Sequence, residues 1–122
     1  MTNTITGQDH TMRRGDSRRF KFNVKYTDGR SLTGTTWRYE ARKTRTTAAA
    51  VITKTTAGSG EIVFDADAGT VIVVVLPADT SGIAASDLPD KYIHELEGTD
   101  TLSNVDTFAE GTLTIVTDVA HT

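Results

Sequence analysis

Alternation of apolar and polar residues is the clearest signal along this chain. Over Arg18–Tyr26, apolar side chains at Phe20, Phe22, Val24 and Tyr26 alternate with charged or amide side chains. A period of two residues is typical of a β-strand that buries one face. The pattern therefore predicts a strand over Arg18–Tyr26.

Two further segments predict strands of different kinds. Thr36–Lys43 repeats the alternation and places Trp37 and Tyr39 on one face. Thr70–Leu76 is instead apolar at successive positions, which predicts a central strand covered on both faces. Pro77 ends that strand, because proline has no N–H to donate to a ladder.

Shorter runs of β-branched and apolar residues predict the remaining strands. They are Val51–Thr55, Glu61–Phe64, Lys91–Glu97 and Phe108–Thr117. The loop Ala78–Leu88 is polar, and we expect one helical turn in it near Asp79–Ile83.

About seven short strands separated by turn signals predict an all-β fold, since no segment of ~10 or more residues shows the periodicity of an α-helix. We predict an immunoglobulin-like antiparallel β-sandwich of about seven strands with an extended N-terminal arm. Its core is predicted from the inward positions of the strands. These are Phe20, Phe22, Val24, Trp37, Tyr39, Val73, Val75, Tyr92, Leu96, Leu113 and Ile115.

The 122 residues suit a single domain. Residues 1–12 are polar and lack periodicity, so we expect an extended arm that packs on another subunit rather than on its own core. Residues 13–119 are predicted to form one β-sandwich domain, and residues 120–122 a C-terminal tail. Neither a secretory signal nor an apolar run of ~20 residues is visible, so we expect no membrane partner.

Composition strengthens the all-β prediction. The chain contains 23 Thr, a β-branched residue that favours strands. It contains no cysteine, which excludes disulfides and thiolate metal sites.

Charge is unevenly distributed along the chain. Residues 1–60 carry 12 Lys or Arg and 4 Asp or Glu, giving +8, whereas residues 61–122 carry 1 Lys and 12 Asp or Glu, giving −11. Complementary halves can meet within one molecule or between neighbouring copies. Arg13, Arg14, Arg18 and Arg19 lie at or before the first strand, and we predict that they form an assembly interface suited to head-to-tail contacts.

Candidate chemistry is sparse. His10, His94 and His121 lack the spacing of metal ligands, and we interpret His94 as a packed or hydrogen-bonded imidazole on a strand. Asp65-x-Asp67-x-Gly69 resembles the start of a calcium loop but lacks the later Glu, so a turn is favoured. No nucleophile motif is present. We predict no catalytic residue, no metal site and no cofactor.

Short motifs in a particular order extend over about Arg13–Val119. They are Gly15-Asp16-Ser17, Phe20-x-Phe22-x-Val24, Asp28-Gly29, Leu32-Thr33-Gly34, Trp37-Arg38-Tyr39, Arg42, Gly69, Asp79-Thr80, Tyr92-Ile93-His94-Glu95-Leu96 and Gly111-Thr112-Leu113-Thr114-Ile115. This order resembles the small immunoglobulin-like modules of tailed-phage virions, typified by the N-terminal domain of baseplate upper proteins. The resemblance carries no catalytic residues.

The resemblance implies a non-enzymatic virion protein, assembled in the host cytoplasm as part of a tail, baseplate or neck, or as a capsid decoration subunit. Members of the family are often joined to a C-terminal receptor-binding or fibre segment. Because this chain stops at Thr122, we expect a stand-alone structural subunit. The expected partners are other virion subunits and copies of itself.

Two alternatives remain open at this stage. A carbohydrate- or host-surface-binding module would need exposed aromatic residues, and Trp37 and Tyr39 are the pair to test. A nucleic-acid-binding protein would use the basic strip from Arg13 to Lys25. The second alternative is disfavoured, because the acidic half of the chain would repel phosphate.

Overall fold

A computed structural model describes residues 4–44, 49–84, 86 and 90–117. These residues form eight strands and one short helix. In chain order the elements are β1 His10–Arg13, β2 Arg18–Asn23, β3 Thr36–Arg42, β4 Ile52–Thr55, β5 Ile62–Asp65, β6 Thr70–Val75, α1 Pro77–Ser81, β7 Asp90–Thr99 and β8 Val105–Val116. Among the described residues, no helix is long and apolar enough to cross a membrane.

Two sheets make up the fold. The larger has the strand order β1-β8-β7-β3-β4, and the smaller has the order β2-β6-β5. The prediction of an all-β sandwich is confirmed. The prediction that it is antiparallel is wrong at one pair, since β1 runs parallel to β8. The reason is that β1 joins the free edge of β8 before the chain turns into β2 of the other sheet.

The core lies between the inward faces of the two sheets, and all eleven predicted core residues are buried. Phe20 and Phe22 of the smaller sheet face Tyr39 of the larger one, with ring centroids 6.2 and 6.3 Å apart. The alternation continues past the end of β2, because Val24 and Tyr26 are also buried. The period-two pattern therefore identified the inward face correctly.

Gly98 on β7 is required by close packing in this core. A Cβ atom there would lie 2.8 Å from ring atoms of both Trp37 and Phe108. The two rings meet edge to face, with centroids 4.9 Å apart. Any larger residue at position 98 must displace one of these rings.

Strand β6 is central in its sheet, as predicted, between β2 and β5. The prediction that both of its faces are covered is wrong. Val71, Val73 and Val75 are fully buried, whereas the outward Ile72 and Val74 are only half-buried. The physical reason is the two-sheet architecture, which covers one face of each sheet.

The N-terminal segment departs from the prediction of a separate arm. Its described part pairs with β8 of the same chain, both through β1 and through a bridge between Ile5 and Ala109. Met12 is 2% exposed and belongs to the core. The described residues of the segment therefore pack on the core of their own chain, contrary to the prediction, because the open edge of β8 accepts them.

Polar contacts fix the path of this segment. His94 donates from Nε2 to the Gln8 carbonyl oxygen at 2.6 Å, and Asp9 Oδ1 accepts the Thr112 N–H at 2.8 Å. The chain passes so close to β8 that a Cβ at Gly111 would lie 2.4 Å from the Gln8 carbonyl oxygen. Residues 8 and 9 are therefore part of the sandwich.

Helix α1 covers one end of the sandwich. The helical turn predicted near Asp79–Ile83 is present but begins at Pro77, where the missing N–H of proline costs no helical hydrogen bond. Asp79 Oδ2 accepts the Leu76 N–H at 2.7 Å and pairs with the nearly buried Lys54 ammonium at 2.8 Å. An inward-pointing lysine on the edge strand β4 is thus neutralised by α1.

Truncation of Phe22 to Ala is expected to lower the free energy of unfolding by about 3–5 kcal/mol, because it opens a cavity against Tyr39. The exposed neighbour Asn23 provides a matched control, and its change to Ala should cost less than about 0.5 kcal/mol. Urea denaturation measures both values. Equal midpoints for the two variants would contradict the inward assignment of Phe22.

Removal of residues 1–12 is expected to destabilise the isolated chain by about 2–5 kcal/mol, because Met12 leaves the core and β8 loses a pairing partner. The control is Met12→Leu, which conserves volume and should cost less than about 1.5 kcal/mol. Thermal unfolding of the truncated chain at the wild-type temperature would show that this segment does not belong to the sandwich.

Candidate assembly surface

The four arginines predicted as an interface are divided between different environments. Arg13 is exposed and points outward from β1, whereas Arg19 is exposed on the outer side of the other sheet. Arg14 Nη1 donates to the Ile83 carbonyl oxygen, and Arg18 Nη2 donates to the Thr11 carbonyl oxygen, both at 2.9 Å. Arg13 and Arg18 border one depression, and Arg18 and Arg19 border another, so neighbouring arginines lie close together although the four do not share one face.

Arg19 belongs instead to a larger surface on the outside of the three-stranded sheet. Cross-strand pairing sets Arg19 beside Val74 and Lys21 beside Ile72. On the other side of β6, Val63 lies beside Ile72. We call this surface the basic–apolar face and define it by Arg19, Lys21, Val63, Ile72, Val74 and Leu76.

Large apolar side chains are exposed on the basic–apolar face. Val63 is 44% exposed and Leu76 52% exposed. Both line a shallow depression of about 570 Å³ that Val74 and Arg19 also border. A contiguous exposed apolar patch bordered by polar residues marks an interaction surface on a folded protein. This surface therefore has the chemistry of a protein contact.

The outside of the five-stranded sheet has the opposite character. The strand order places Glu40, Glu95 and Glu110 directly side by side on β3, β7 and β8. Glu97 lies opposite Arg38 on the same side. We call this surface the acidic face and define it by Glu40, Glu95, Glu97 and Glu110.

Two arginines neutralise one end of the carboxylate row. Arg38 Nε donates to Glu40 Oε1 at 2.9 Å, and Arg42 contacts the other oxygen. The bond from Arg38 lowers the pKa of Glu40 below its ordinary value. Like charges directly opposite each other destabilise a sheet. The two arginines offset that repulsion at Glu40.

His94 and Tyr39 are two of the buried side chains that carry polar groups in the interior of the sandwich. The Tyr39 hydroxyl lies 2.9 Å from His94 Nδ1, and the Gln8 carbonyl oxygen lies 2.6 Å from Nε2. Because a carbonyl oxygen only accepts, Nε2 carries the proton and Nδ1 accepts from Tyr39. The interpretation of His94 as a hydrogen-bonded imidazole is confirmed.

Burial sets the protonation of His94, His10 and Tyr39. It is the main cause that lowers the pKa of His94 and of His10 and that raises the pKa of the Tyr39 hydroxyl. Arg18 lowers the pKa of His10 further, whereas Asp9 acts in the opposite direction. Both imidazoles are therefore held neutral and act as packing and hydrogen-bonding groups.

The remaining candidate residues have structural positions. Asp65 Oδ1 accepts the Ala68 N–H at 3.0 Å, and Gly69 has a φ of +68°, which confirms the turn. Trp37 and Tyr39 are 2% and 0% exposed, so they offer no aromatic platform for a carbohydrate. Within the described ranges, no three His, Asp or Glu side chains are grouped as metal ligands. His121 lies outside the described residues.

The chain was compared with known proteins. No protein-family model matches it, and no curated protein sequence matches it. The two faces of the sandwich and the motifs of the sequence are therefore the features that bear on function.

Lowering the pH is expected to destabilise the fold through its histidines. His10 and His94 have a lowered pKa in the folded state, so the unfolded chain, with a pKa near 6.5, binds more protons. The contribution of the two neutral imidazoles to the free energy of unfolding is fully present above that value and is lost as the pH falls below it. Unfolding free energies at about pH 7.5 and pH 5.5 test this.

His10→Asn serves as the control for this pH dependence. It removes one of the two groups with a lowered pKa, so the variant should lose less stability on acidification than the wild type. Equal stability of the wild type at both pH values would contradict the neutral assignment of the imidazoles.

Proposed function

We propose that this protein is a non-enzymatic structural subunit of a tailed-phage virion that acts through protein–protein contacts. The observation that carries the proposal is the basic–apolar face. Val63 within β5 and Leu76 directly after β6 are exposed there, beside the cations Arg19 and Lys21. A rigid sheet surface of this composition suits a permanent contact with another subunit.

Strand order supports the immunoglobulin-like part of the proposal. The orders β5-β6-β2 and β4-β3-β7-β8 correspond to D-E-B and C′-C-F-G in immunoglobulin-like sandwiches. Trp37 is buried on β3, the strand that carries the buried Trp in those domains. Phe22 and His94 face each other, with centroids 6.1 Å apart, across strands that a disulfide joins in antibody domains.

The same fold and motif order support the phage class within this proposal. Four glycines of the motifs that carry the resemblance lie in turns and have positive φ. They are Gly15, Gly29 (which follows Asp28), Gly34 and Gly69. The motifs are thus the structural residues of the sandwich. The proposed location is the virion, as a tail, baseplate or neck component or as a capsid decoration subunit, after assembly in the host cytoplasm.

Protein analysis of purified particles tests this function. The particles are those of the phage whose genome encodes the chain, purified by density gradient and washed in high salt. We expect the chain to remain in them at a fixed ratio to the major capsid protein. Its presence in the lysate but not in washed particles would overturn the proposal.

A variant experiment identifies the surface responsible. Val63→Asp puts a carboxylate on the basic–apolar face, and we expect at least about tenfold less incorporation into particles, as for a contact weakened by 1.4 kcal/mol. Leu102→Asp places the same group at an exposed apolar position of the loop between β7 and β8, away from both sheets, and is the matched control. Equal incorporation of both variants would contradict a role for this face.

A further inference from the structure

We propose that the basic–apolar face of one copy docks on the acidic face of a second copy. The inference rests on the proposed function and specifies which partner the surface takes. Both faces belong to one sandwich, on the outer sides of sheets that pack through their inner sides. A copy therefore presents the two complementary surfaces in opposite directions.

Charge complementarity identifies the partner. Arg19 and Lys21 point outward from β2, and Lys25 continues the same side beyond the strand, where Val24 and Tyr26 are buried. The opposing carboxylates are in the row of Glu40, Glu95 and Glu110 and at Glu97. Arg38, Arg42 and Lys91 lie on the same side as these four carboxylates and offset part of their charge, which leaves that side net negative. Pairing either face with itself would still bring like net charges together. Pairing one with the other brings cations to carboxylates.

Glu95 lies at the centre of the acidic face, with Glu40 directly opposite on one side and Glu110 on the other. A depression of about 300 Å³ at the same place is mostly polar, with Glu40, Arg42, Ile93, Glu95 and Glu97 as its lining. The exposed Val63 and Leu76 of the neighbour would be covered in the same contact.

This contact is heterologous, because two different surfaces of the chain meet. Repetition of such a contact produces a ring where the rotation closes and a stack where it does not. The N-terminal segment is not needed to join the copies, since residues 8–13 are held by β8 and His94 of their own chain. The sheets themselves provide the contact.

Complementary charge reversals test the proposal with the full chain. Lys21→Glu damages the basic–apolar face, and Glu95→Lys damages the acidic face. Each variant alone should self-associate at least about tenfold more weakly than the wild type in sedimentation at physiological salt. An equimolar mixture should regain association, because each variant supplies the face that the other lacks and the reversed charges also attract.

Controls keep the outcomes distinct. Asp67→Lys reverses an exposed charge in the turn between β5 and β6, outside both faces, and should not weaken association. Circular dichroism and thermal melting check that each variant folds, and Lys21→Ala and Glu95→Gln replace any variant that does not. A monomeric wild type at high concentration, or a mixture no more associated than either variant, would overturn the docking.

Failure of the docking is distinguishable from failure of the proposed function. A chain that is present in washed particles but monomeric in solution would retain the structural role and refute the contact between copies. A chain that associates as described but is absent from particles would refute the virion role and retain the contact.

Discussion

Contact between the inward faces of the two sheets is the constraint on which the whole structure depends. Phe20 and Phe22 of β2 pack against Tyr39 and His94 of the larger sheet, with ring centroids about 6 Å apart. This packing fixes the phase of each strand, because a shift by one residue would turn every inward side chain outward. The outward side chains do not pack in the core, so they can be charged. Their charges form two faces of different character.

The same contact explains why the N-terminal segment belongs to the sandwich. His94 is buried between the sheets and needs partners for both ring nitrogens. Tyr39 donates to one, and the Gln8 carbonyl accepts from the other. A histidine in the core thus links the start of the chain to β3 and β7. Loss of the segment would leave Nε2 of a buried ring without its partner.

The alternation of apolar and polar residues predicted the core, because the sequence of each strand shows by itself which positions point inward. Phe20 and Phe22 alternate within one strand, and each position can be recognised from its neighbours along the chain. Strand β1 was missed because only four residues, from His10 to Arg13, enter the sheet. Such a short run carries no periodic signal, and its pairing depends on the free edge of β8.

The acidic face could not be predicted from local pattern. Glu40, Glu95 and Glu110 are distant in sequence, and only the strand order β3-β7-β8 places them in one row. The charge split along the chain did indicate complementary surfaces, but it placed the basic one at Arg13, Arg14, Arg18 and Arg19. Of these four, Arg19 belongs to the basic–apolar face and Arg18 borders the depression on it. The partial exposure of Ile72 and Val74 also depended on knowing that one face of the sheet stays uncovered.

Zero-length cross-linking of amines to carboxylates tests the central claim most directly. A mixture of chains in natural and ¹⁵N-labelled form lets mass spectrometry separate links between copies from links within one copy. The account predicts intermolecular links from Lys21 or Lys25 to Glu95, Glu97 or Glu110. Intermolecular links that join other surfaces, with none between these two faces, would contradict it.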